Sequence, residues 1–150
     1  MAQRISFTRL MKDRAGTSFI ETAILIPVLL MVCCGTMDFA RIVYAGVEIA
    51  SAARAGVQFG ALTPGNSGNT SGMTQAALAD AADLGSTVTA SASNFCTCSG
   101  ATVACSTTCA GVVPAGYVSV TANYTYNTVL PYPGLPQTVL LSRTAKMRVQ

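Results

Sequence analysis

From Phe19 to Met37 the chain runs for 19 residues with a single ionisable side chain, Glu21, close to the start. About 20 consecutive apolar residues are what a helix needs to cross the hydrocarbon core of a bilayer. Charged residues make up 10% of the chain and the mean hydropathy is +0.47, whereas soluble domains carry about 25% charged residues. That balance favours a membrane or exported protein over a cytosolic enzyme.

Charge is distributed unevenly around this run. Arg4, Arg9, Lys12 and Arg14 precede it against Asp13 alone, so the first 16 residues hold the whole formal charge of +3. A Lys/Arg excess before a span places that end in the cytoplasm. The remaining chain is neutral, which argues against a basic groove and a nucleic-acid partner. With no histidine, the commonest general base and metal ligand is missing. No base, metal cluster or phosphate loop accompanies the many Ser and Tyr residues, so the sequence predicts no enzyme, no metal and no cofactor.

Three kinds of segment fit the apolar run. A cleaved secretory signal has a shorter core, about 7–15 residues, and small residues after it; here Asp38 stands in that position. An uncleaved anchor accounts for the charge asymmetry but not for Glu21. A carboxylate costs about 2.5–3.5 kcal/mol at the centre of a membrane helix and less near its end, so its presence calls for a cationic partner. A cut between Gly16 and Thr17 would create an α-amine five residues before Glu21, and a neighbouring subunit, shifted along a bundle, would bring such an ammonium to that carboxylate.

A basic leader ending in Gly16, a glutamate at the fifth position after it and a long apolar helix resemble the class III signal of type IV pilins and pseudopilins. The sequence IETAILIPVLLM, then MDFARIVYAGVEIASAARAG, is similar to the TadE-like family, minor pseudopilins of the tight-adherence (Tad) pilus, and LSRTAKMRV resembles that family's closing strand. The resemblance implies processing at Gly16 and Thr17 by a prepilin peptidase, and subunit assembly through Glu21. It also implies as partners other pilin or pseudopilin subunits, the Tad inner-membrane assembly platform and membrane lipid. Phe19 and Ile20 stand where the family often has small aliphatic residues, and the cysteine-rich segment is specific to this chain.

Beyond the span, Phe39, Ile42, Val43, Gly46, Ile49, Ala50, Ala53 and Val57 recur at helical spacing. The helix is therefore expected to continue to Ala61 as a spine. Pro27 removes a backbone donor inside the span. Gly35, Ala40, Ala45, Gly46, Ala50, Ala53 and Gly56 permit close approach of other helices, although Ala50 and Ala53 are better placed on the protein's own sheet. Asp38 and Arg41 are spaced to pair.

TPGNSGNTSG (63–72) is a breaker. MTQAALADAADLG after it predicts a short helix capped by Ser71, with Ala76, Ala77, Leu78, Ala81 and Leu84 apolar and Gly85 as its stop. Asp80 and Asp83 are expected to face solvent. Strands are predicted over 86–93, 116–128 and 138–149, with the turn LPYPGLP before the last.

Cys33 and Cys34 lie inside the apolar span and read as small hydrophobes. Cys96, Cys98, Cys105 and Cys109 crowd into NFCTCSGATVACSTTC. Outside a membrane, such a cluster predicts two disulfides. Three connectivities are open; the nested one, Cys96–Cys109 with Cys98–Cys105, suits a hairpin. A four-cysteine zinc site is the competing possibility, with spacing that departs from zinc ribbons.

The expectation is an α+β fold: a long N-terminal transmembrane and spine helix, a short second helix and an antiparallel sheet of about three strands, the pilin-like lollipop. Residues 1–16 form a cytoplasmic leader, 17–61 the helix and 62–150 a periplasmic or extracellular head with a cysteine-rich loop at 94–112. The expected function is that of a minor pseudopilin or assembly subunit of a Tad-type pilus or secretion system, in the bacterial inner membrane and incorporated from there into an extracellular pilus for adhesion or secretion. The alternative is an uncleaved, membrane-anchored interaction module of the envelope.

Overall fold

A computed structural model describes residues 14–129 and 136–149. The leader up to Asp13 and most of the LPYPGLP turn lie outside the described residues. The chain divides into two compact units, Met1–Ala40 and Arg41–Gln150, and helix α1, Arg14–Ala61, contributes to both.

α1 is continuous over 48 residues, with Pro27 inside it. Proline withholds the amide that would bond to the carbonyl four residues back, here Ala23. In the first unit the side chains from Ser18 to Cys34 are exposed, Phe19 to 79%. A helix whose large aliphatic residues all face outward is not held by a protein core of its own. Apart from the Ala23 carbonyl and the first turn, its backbone groups bond within the helix, the condition for standing in hydrocarbon.

The second unit uses the remainder of α1 differently. Ala45, Ile49, Ala52, Ala53, Val57 and Ala61 are buried, a face with steps of three and four residues. Phe39 and Val43, expected on the apolar stripe, are instead 69% and 50% exposed. The buried stripe is rich in small side chains because the sheet packs against it closely. A Cβ at Gly56 would stand 2.9 Å from the Met73 carbonyl oxygen and 3.0 Å from Val120, so only glycine permits the observed approach. Gly56 and Ala53 thus serve packing within the second unit, as expected for Ala53.

α1 stops where Thr63, preceding Pro64, takes an extended conformation (φ −145°, ψ 153°). The clash of a proline ring with the preceding residue disfavours helix there. The Asn66 side-chain amide donates to the Phe59 carbonyl at 3.1 Å, satisfying one of the carbonyls that a helix end leaves open. The expected breaker is itself partly ordered: Pro64–Ser67 form a single helical turn, α2, because proline is compatible with a first helical position. α3, Thr70–Asp80, is capped by Asn69, whose side chain accepts from the Gly72 amide at 2.9 Å. Ser71, the expected cap, is already inside the helix. Met73, Ala77 and Ala81 form the buried edge, at a spacing of four, and Leu78 is exposed. A 3₁₀ turn, Ala82–Leu84, leads to Gly85 at φ 79°, a left-handed conformation that glycine tolerates.

Four antiparallel strands follow: β1 Val88–Cys98, β2 Ala101–Val103, β3 Ala115–Asn127 and β4 Thr138–Arg148, in the spatial order β2-β1-β3-β4. The sheet has one strand more than the sequence pattern indicated. β2 is three residues long and lies in the cysteine segment, where no apolar alternation announces it. β3 is central and alternates strictly: Val118, Val120 and Ala122 are buried against the helices. Two adjoining clusters make the core. Ile49, Ala52, Ala53, Ala81, Val88 and Ala122 form one, and Val57, Ala61, Met73, Ala77, Val118 and Val120 the other. Ala145 of β4 packs on both. The opposite face of the sheet is polar, with Thr121 and Thr144 hydroxyls 2.8 Å apart across β3 and β4.

Candidate functional site

Three groups of residues carry functional expectations. The first is Gly16, Thr17 and Glu21. The α1 backbone is already helical at Gly16 and Thr17, so the bond between them lies within the first turn of the described helix. Glu21 is exposed one turn further on, and no described residue pairs with it. Nearby hydroxyls turn inward: Thr22 Oγ1 donates to the Ser18 carbonyl at 2.9 Å and Thr36 Oγ1 to the Cys33 carbonyl at 2.9 Å. These bonds turn polar atoms against the helix backbone, and Glu21 is the one Asp, Glu, Lys or Arg between Phe19 and Met37.

The second group is the cysteine cluster. Cys96 bonds to Cys105 and Cys98 to Cys109, while Cys33 and Cys34 are free and exposed. All four expected residues are therefore disulfide-bonded, but the pairing is crossed and the nested expectation is corrected. The register gives the reason. β1 and β2 close on a two-residue turn, Ser99-Gly100, with both φ positive (48° and 89°) and with Cys98 opposite Ala101. Cys96 lies opposite Val103, so by Cys105 the returning chain has passed Cys98. It reverses at Ala104–Thr107, where the Thr107 amide donates to the Ala104 carbonyl at 2.9 Å, and Cys109 comes back to Cys98. A second turn of the same kind, Ala110-Gly111 (φ 50° and 86°), is closed by Cys109 and Val112. The recurring Cys-x-Gly was the sequence signal for both turns, since positive φ at two successive positions is the mark of a tight hairpin. With every sulfur of the cluster in a disulfide, no thiolate is left there for zinc.

The third group was not singled out from the sequence. Arg41, Tyr44, Ala45, Asp83, Leu84, Tyr124 and Tyr126 line a cleft of about 330 Å³ in the second unit. Tyr126, buried, forms its floor, and the Arg41 guanidinium lies over that ring, 5.7 Å from its centre. Asp83, expected to be a solvent-facing surface acid, is exposed and lines this cleft. These residues come from α1, the 3₁₀ turn and β3, so only the fold assembles them. Among the described residues there is no group of three or more His, Cys, Asp or Glu placed to hold a metal ion.

The residues of the first group all fall within one family match. Residues 16–58 are TadE-like. The match to the TadE-like protein family begins at Gly16, takes in Glu21, Pro27, Asp38 and Arg41, and ends near the C-terminus of α1. It confirms the resemblance that the leader glycine, the glutamate and the MDFAR segment carry, and the sheet and the cysteine cluster lie beyond it. No curated protein and no solved structure matches the chain. The TadE-like segment is also the one helix among the described residues that is long and apolar enough to cross a membrane. A Tad pilus-related role and contact with pilus subunits are what the family match supports.

Proposed function

We propose that this chain is a minor pseudopilin of a Tad-type pilus or secretion system, a structural subunit rather than a catalyst. A prepilin peptidase cuts it between Gly16 and Thr17. Its N-terminal end lies in the cytoplasm, the apolar part of α1 spans the inner membrane, and the disulfide-bonded head stands on the periplasmic side before incorporation into a filament. The observation that carries this is the coincidence of the TadE-like match with its boundary glycine, Gly16, and with an exposed apolar helix bearing one carboxylate. Glu21 receives the terminal ammonium of a neighbouring processed subunit; opposite charges at about 4 Å in a low-dielectric setting attract far more strongly than in water.

The test is the mass and N-terminal sequence of the protein purified from its native host. A mature chain starting at Thr17 supports the assignment. A chain starting at Met1 overturns it and leaves an uncleaved envelope module.

A further inference from the structure

We infer that the free edge of β4 takes an extended, carboxylate-bearing segment of another protein as a further antiparallel strand, with one large apolar side chain of that segment seated beside Met147. Every residue involved lies within the second unit. β4 closes one side of the sheet order β2-β1-β3-β4 and runs for 11 residues, Thr138–Arg148. The Val149 amide donates to the Gly116 carbonyl at 2.9 Å, and the Gln137 carbonyl accepts from the Thr128 amide at 2.9 Å. Odd-numbered residues of this stretch therefore turn their backbone groups toward β3. By the alternation of an antiparallel ladder, the even-numbered ones from Thr138 to Arg148 turn theirs outward. One outward carbonyl, that of Ser142, accepts from Arg143 Nη1 at 3.0 Å; a carbonyl has two lone pairs, so it can still receive an amide. Such a row is a template for another strand.

Two features choose the occupant. The first is charge. β4 holds Arg143, Lys146 and Arg148, and no acid belongs to any strand: Glu48 lies on α1, Asp80 on α3 and Asp83 on the 3₁₀ turn, while Asp38, also on α1, is buried. Cations on an edge repel a like-charged strand. A second copy's β4 would set three cations against three, whereas carboxylates directly opposite are favourable. Lys146 is held over the Phe95 ring of β1, 5.7 Å from its centre. That leaves Arg148 on the outer face and Arg143 on the helix side, where its Nη2 stands 3.9 Å from the position of a Cβ at Gly46. The second feature is a cleft of about 260 Å³ lined by Gln58, Ala61, Leu62 and Met147. It is smaller than the clefts that hold free ligands, about 300–1,000 Å³, and Leu62 and Met147 are both exposed in it. Arg143 and Met147, being odd, fall at the non-hydrogen-bonded positions of an added strand, where facing side chains come closest. An antiparallel segment that uses all three contacts has an apolar residue opposite Met147. Its acids come one residue earlier, opposite Arg148, and four residues later, opposite Arg143.

The full-length protein in uncharged detergent is titrated with the fluorescent peptide TELTVTET, whose first glutamate, leucine and second glutamate fall opposite Arg148, Met147 and Arg143. Saturable binding, read by anisotropy, is the expected result. Replacing both glutamates of the peptide by lysine weakens it by about tenfold, the scale of reversed charge pairs, and replacing the leucine by alanine weakens it by about tenfold. Ser142→Pro removes one outward N–H and keeps the ladder to β3, a substitution that edge strands tolerate; it lowers affinity by about fivefold. Arg143→Gln weakens the glutamate peptide but not the lysine one, and it decides the matter if the far-ultraviolet circular dichroism of Ser142→Pro is not native. Absence of binding, or equal binding of the glutamate and lysine peptides, overturns the proposal. Unchanged affinity in both variants overturns it too, since the peptide then lies elsewhere. A concentration-dependent dimer in sedimentation that Ser142→Pro abolishes overturns the choice of occupant in favour of a second copy.

Discussion

One helix carries two apolar stretches, one exposed and one buried, and its composition separates them. Between Phe19 and Met37 it presents Ile, Leu, Val and Met outward, with Leu29 and Leu30 about 60% exposed. Between Ala45 and Ala61 it buries Ala, Gly, Ile49 and Val57 against α3 and the sheet. Both stretches are apolar and helical. Size separates them: bulky side chains suit a fluid hydrocarbon that moulds to them, and small ones suit a rigid partner whose backbone comes within contact of the helix.

The strongest way to break this comparison is at Glu21. Glu21→Ala should leave insertion and the stability of the second unit unchanged yet impair filament assembly, scored by surface pilus production in the native host; normal production would remove the proposed role of the carboxylate as an assembly contact. Within the head, Ile49→Ala should destabilise by about 2–5 kcal/mol, because a fully buried side chain leaves a cavity, read by denaturant unfolding of the full chain in micelles. Removing one disulfide, as in Cys96→Ser with Cys105→Ser, should cost about 2–4 kcal/mol. Peptide mapping without reductant should recover the crossed pairs, and alkylation should reach Cys33 and Cys34 only. Gly56→Val should cost about 1–3 kcal/mol by overpacking against Met73 and Val120. Leu29→Ala, in the outward-facing stretch, should change head stability by less than about 0.5 kcal/mol; a loss as large as that of Ile49→Ala would show the two stretches to be alike.

Local chemistry made several features legible in advance. The helix ends near Ala61 because Pro64 follows, and β3 and β4 begin and end within a residue of where Val, Thr and Tyr alternate. Ser71 misled as a cap because Asn69, two residues earlier, offers the same chemistry at the true start of α3. Phe39 and Val43 fitted the helical period, yet the buried face is set by which side chains let the sheet approach. The cysteine pairing failed for a similar reason: spacing allows three connectivities, and the choice depends on a two-residue turn and the register it imposes.

The sequence by itself determined a helix long and apolar enough to cross a membrane, its lone carboxylate, the Gly16–Thr17 bond before it and the TadE-like character of residues 16–58, because these depend on residue type and order along one helix. Tertiary structure alone decided the crossed disulfides and the meeting of Arg41, Asp83, Tyr124 and Tyr126 around one cleft. Those residues are distant in sequence, and only the antiparallel register of β1, β3 and β4, closed over the small-residue face of α1, brings their side chains within reach of each other.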